Sequence, residues 1–98
     1  MQTVSPADRV HLGDFWLSLE SNQGLDWHIR IDLDRFDIRS MGWCIAGQLG
    51  LWEQLEESGT AFVMRLGFDS EYGAEDFDAL QSAWHALILK RRLEESPK

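Results

Sequence analysis

Apolar residues recur along this chain mainly at helical spacing. Leu12, Phe15, Trp16 and Leu19 fall at i, i+3, i+4 and i+7, which places them on one face of a helix. That helix has a start signal in Ser5-Pro6-Ala7-Asp8: a hydroxyl to accept from an orphan amide, a proline at the first position and an acid at the positive end of the dipole. Gly13 weakens it slightly, and Asn22 to Gly24 is the expected stop. A second helix is expected from a Ser40 cap to about Glu57, with Ile45, Leu49, Trp52 and Leu55 on its apolar face. Beside that face Gly42, Ala46 and Gly50 recur every four residues, a smooth ridge suited to close packing. The clearest stripe comes last. Capped by Asp76, it runs through Phe77, Leu80, Trp84, Leu87 and Ile88.

Two segments between these helices are ambiguous. Trp27, Ile29, Ile31 and Leu33 alternate with His28, Arg30 and Asp32, which is strand spacing, and Thr60 to Leu66 leans the same way. The two segments either pair as a small ribbon or form separate short helical turns. The second reading is preferred, because an isolated strand has no ladder partner. The expected fold is therefore mainly α: one domain over residues 1–98, a small bundle of three main helices joined by short helical or extended segments. Phe15, Trp16, Leu19, Ile45, Leu49, Trp52, Leu80, Trp84 and Leu87 are its expected core.

Composition narrows the functional classes. Ninety-eight residues suit a single domain, and five tryptophans with five phenylalanines are ample core material for one. A lone Cys44 permits no internal disulfide. Met1 to Ser5 has neither the basic region nor the apolar stretch of a signal peptide. The uncharged run Met41 to Trp52 is too short to cross a bilayer. The expectation is a cytoplasmic protein that does not engage a membrane. A formal charge of −8 disfavours direct nucleic-acid binding. Lys90, Arg91 and Arg92 are the one basic cluster, and their place near the end of the last helix suits the dipole better than a phosphate site.

Site chemistry is sparse. Cys44 has no local histidine to act as its base, which favours a buried inert thiol. His11, His28 and His85 show no paired-ligand spacing and read as surface or boundary residues. Asp69-Ser70-Glu71-Tyr72-Gly73 begins like a calcium loop, but Ala74 and Leu80 occupy positions that need Gly and a bidentate Glu. Asp32, Asp34 and Asp37 likewise lack the turn glycine. No phosphate loop is present, so no catalytic, cofactor or metal residue is assigned and no cofactor is expected.

The stretch from Arg30 to Gly50 resembles a family of small proteins from actinobacteria and their phages. Arg30-Ile31-Asp32, Phe36-Asp37-Ile38, Ser40 and Cys44-Ile45-Ala46-Gly47-Gln48-Leu49 match its recurring pattern, as do Leu66-Gly67-Phe68-Asp69 and the helix bearing Trp84. Met41 stands where relatives carry the first cysteine of a Cys-x-x-Cys pair, so no redox or metal role of that pair carries over. The resemblance brings no activity with it. It implies a phage-encoded protein that acts by binding a host component.

The leading functional expectation is thus a non-enzymatic protein-binding module with one bacterial host protein as its partner. A second is an acidic mimic of DNA: from Glu53 to Asp78 the chain carries Glu53, Glu56, Glu57, Asp69, Glu71, Glu75, Asp76 and Asp78 against only Arg65. A third is an enzyme using Cys44 or a carboxylate pair. The candidate partner-binding residues are Glu53, Glu56, Glu57, Phe62, Phe68, Asp69, Glu71, Tyr72, Glu75 and Asp78.

Overall fold

The computed structural model describes residues 5–19, 22–70 and 73–95. Helix α1 spans Pro6–Ser18, followed by a 3-10 turn at Trp27–Arg30; α2 is Ile45–Leu49, α3 Trp52–Ser58, α4 Thr60–Arg65 and α5 Ala74–Glu95. Among the described residues there is no strand, so the helical reading of the two ambiguous segments holds.

The α1 start is as expected: Ser5 Oγ accepts from the Asp8 amide at 3.1 Å. The face is not. Two sets of positions in this helix have i, i+3, i+4, i+7 spacing, and the buried set is Val10, Gly13, Asp14 and Leu17. Phe15, expected in the core, is 69% exposed and Leu19 is 40% exposed. The reason lies in Gly13. A Cβ there would sit 2.2 Å from the Leu66 carbonyl oxygen and 2.7 Å from the Trp84 ring, so its bare backbone is where α5 and the 66–68 turn come closest. Charged residues on that face are matched. Arg9, 3% exposed, holds Asp76 of α5 through both nitrogens, and Asp14 accepts from Trp27 Nε1 at 3.1 Å, Ser18 Oγ at 3.2 Å and Arg91.

Asp76 therefore does not cap α5. It lies inside the first turn and spends its carboxylate on Arg9 and Ser70. Beyond it the stripe is as expected, with Leu80, Trp84 and Ile88 fully buried. Trp84 stacks on Phe68 with centroids 5.5 Å apart, meets Trp27 edge-on at 5.7 Å and donates its indole N–H to the Gly67 carbonyl at 2.7 Å. Trp16 closes the cluster edge-on to Phe68 at 6.0 Å. The Gly67 turn reaches α1 at φ +77, a conformation that favours glycine.

The single helix expected from Ser40 to Glu57 is two short ones. Gly50 adopts the left-handed conformation at φ 69 and ends α2, and residues 41–44 form turns rather than a first helical turn. The small-residue ridge is not formed: added side-chain carbons at Gly42 or Gly50 would meet nothing, whereas Ala46 is buried.

Residues 28–44 have no ladder, and three side chains bond their backbone where a neighbouring strand would. Gln48 accepts from the Asp32 amide at 2.6 Å and donates to the Asp32 and Trp43 carbonyls. Gln81 of α5 accepts from the Ile38 amide at 2.7 Å and donates to the Phe36 carbonyl at 2.8 Å. Arg92 donates to the His28 carbonyl at 2.9 Å and to that of Ile31. The basic triplet is thus structural, since Arg91 binds Asp14 and Lys90 reaches Glu94 at 4.0 Å. His28, expected at a surface or boundary, is fully buried in the 3-10 turn, while His11 and His85 are exposed.

Candidate functional site

A cleft opens beside α3 and α4. The 38–41 turn, α3, the start of α4 and Phe77 of α5 enclose about 290 Å3. Its apolar lining is Ile38, Met41, Trp52, Leu55, Val63, Phe68 and Phe77, with Arg39, Ser40, Glu56, Gly59, Thr60 and Asp69 as the remaining surface. Gly50 ends α2 in the left-handed conformation, and at the start of α3 the Trp52 indole N–H donates to the Met41 carbonyl at 2.8 Å. Gly59 then breaks the chain again and lets α4 fold back so that Val63 joins the floor.

The polar groups sit at the edge, not in the floor. Arg39 lies over the Phe77 ring at 5.7 Å and donates to Asp78 at 3.0 Å and to the Ala74 carbonyl at 3.0 Å, so its charge is already matched. Glu56 is exposed and Asp69 half-buried, and among the described residues neither is paired with a cation.

Of the ten candidate residues, the fold gathers Glu56, Phe68 and Asp69 around the cleft. Phe68 needs correction as a contact residue. It is 1% exposed because its face is stacked on Trp84, so it forms floor rather than surface. Phe62 is half-buried and turns the other way, edge-on to Trp16 at 6.2 Å. Glu53 and Glu57 are exposed on α3, and Glu75 and Asp78 are exposed in the first turns of α5. Glu71 and Tyr72 lie outside the described residues. Arg9 and Arg39 take up Asp76 and Asp78, which shortens the acidic run as a row of free charges. Sequence reasoning missed Ile38, Met41, Thr60, Val63 and Phe77 as a lining, because apolar residues of a cleft and of a core have the same spacing.

Cys44 is 1% exposed, and its sulfur accepts from the Gly47 amide at 3.3 Å. Burial pushes the thiol above its ordinary value and outweighs the amides that favour the thiolate. Asp76 moves the other way: the Arg9 guanidinium, helped by Ser70, holds its carboxyl below the ordinary value of 3.8 against the opposing effect of burial. Among the described residues no group of three or more His, Cys, Asp or Glu side chains is arranged to hold a metal ion. Among the same residues no helix is long and apolar enough to cross a membrane.

Together the fold and the cleft define a small all-α domain with an apolar cleft on its α3–α4 side. No protein-family model, curated protein or solved structure matches the chain.

Proposed function

We propose that this chain is a non-enzymatic protein-binding module that receives its partner in the cleft between the 38–41 turn, α3 and α4. The observation that carries the reading is the distribution of polarity: a cleft of about 290 Å3 whose buried lining, Ile38, Leu55, Val63 and Phe68, is apolar and whose exposed lining is mostly polar, the anatomy of an interface core and rim. The chemistry around it points the same way. Burial holds the Cys44 proton on its sulfur, which opposes a nucleophilic role. The resemblance of Arg30-Ile31-Asp32 through Gln48-Leu49 to actinobacterial and phage proteins supports a phage-encoded factor in which the partner is one host protein.

Affinity capture from an actinobacterial lysate, with wild type beside Thr60→Trp, tests the proposal. Thr60 is exposed at the cleft edge, so an indole there fills the opening without entering the core. One specific protein retained by wild type and lost from the variant is the expected result. Equal capture by both chains, or no specific protein at all, would refute it.

A further inference from the structure

The cleft's rim also specifies what kind of segment it accepts, an inference that rests on the cleft being the binding surface. Sites for small molecules place a few polar groups within an apolar wall to orient the ligand. Here the floor is Ile38, Leu55, Val63, Phe68 and Phe77, and the polar side chains stand at the rim. A volume of about 290 Å3 is at the foot of the roughly 300–1,000 Å3 range of small-molecule sites, and it suits one or two bulky side chains. The sign of the rim is set by which charges are already matched. Arg39 is matched by Asp78 and the Ala74 carbonyl, leaving Glu56 and Asp69 facing the opening without cations of their own. Exposed Glu53 and Glu57 on α3, and Glu75 at the start of α5, add the same sign, within a chain of net charge −8.

We infer that the cleft takes a peptide segment of a protein partner in which one or two large apolar anchors are flanked by Lys or Arg. The anchors fill the floor between Trp52 and Phe77, and the flanking cations meet Glu56 and Asp69. Anchors of this kind supply most of the affinity, whereas rim charges act on association rate and selectivity.

A displayed library of random peptides supplies the probe. It is selected on wild-type protein, with Thr60→Trp, Met41→Glu and the double variant Glu56→Gln/Asp69→Asn as comparisons. The expected binders carry Trp, Phe or Leu anchors beside Lys or Arg. Synthesised and titrated, they should lose more than about tenfold in affinity on Thr60→Trp and on Met41→Glu. They should lose about three- to tenfold on the double variant at low salt, and that smaller difference should vanish near 0.5 M salt, where exposed charges are screened. Binders that need the cleft but show no basic bias, or ignore the double variant, would overturn this inference and leave the cleft reading standing. Binders indifferent to both cleft variants, or no binders, would overturn both.

Discussion

The two sides of this molecule use aromatic residues in opposite ways. On the α1–α5 side, Trp27 and Trp84 are 0% exposed and edge-on to each other, both indole nitrogens have buried acceptors, and Phe68, shared with the cleft floor, stacks on Trp84. The charges there, Arg9 with Asp76 and Asp14 with Arg91, bridge the two helices. On the α3–α4 side, helices of seven and six residues are separated by Gly59, Trp52 is half-exposed, and half-buried Phe77 lines an open cleft under Arg39. Short helices contribute little stability of their own, so that side leans on the long-helix side for its position. The contrast shows how a chain of this size combines a tightly bridged side with an open one: the two long helices are tied by aromatic and charged contacts, and the short helices line the opening.

The largest expected effect breaks the holding side. Trp84→Ala should cost about 4 kcal/mol, a large part of the stability of a small domain. Gly13→Ala should cost about 3 kcal/mol, because its new methyl meets the Leu66 backbone as well as the Trp84 ring. Urea unfolding followed by far-UV circular dichroism measures both. A Gly13→Ala protein as stable as wild type would mean that α1 and the 66–68 turn are not in close contact.

A smaller effect separates the charged latch from the packing around it. Arg9 lowers the Asp76 pKa in the folded state, so the pair's contribution is fully present above the ordinary carboxyl value of 3.8. It is lost as pH falls through the lower folded value. Asp76→Asn should therefore be less stable than wild type at pH 7, and the two unfolding midpoints should converge as pH falls below about 4. A gap that stays constant from pH 7 to pH 2 would contradict the latch.

How much of this was legible in the sequence depended on whether spacing alone decided the answer. The α5 stripe was legible because Leu80, Trp84 and Ile88 are apolar residues in one register with no rival. In α1 two registers competed, and the one richer in hydrophobics lost. Spacing marks Gly13 as a weak helix residue rather than a contact surface, and the roles of Arg9 and Asp14 depend on partners 67 and 77 positions away. The Gln48 and Gln81 clamps were invisible for the same reason: a glutamine's role depends on which backbone it meets. Of the candidate site, the acidic rim was legible as composition, and Glu56 and Asp69 do border the cleft. The apolar floor was not, since Ile38, Leu55, Val63 and Phe68 belong to the buried core as well as to the cleft lining.

The smallest expected effect concerns the register that lost. Leu12, Phe15 and Leu19 leave α1 with an exposed apolar strip. Phe15→Ser should change stability by no more than about 0.5 kcal/mol and leave capture of a partner intact. Loss of capture in Phe15→Ser with Thr60→Trp unaffected would move the binding surface from the cleft to α1.

The most direct test of the division uses the five tryptophan indoles as reporters. In a 1H–15N correlation spectrum each indole N–H gives its own peak, and single Trp→Phe variants assign them. Trp52 stands at the cleft wall, Trp27 and Trp84 in the core, and Trp16 on the α1 side. On titration with a peptide selected as above, the Trp52 peak should shift or broaden while those of Trp27, Trp84 and Trp16 stay in place. A Trp52 peak that does not move while that of Trp16 does would contradict the account.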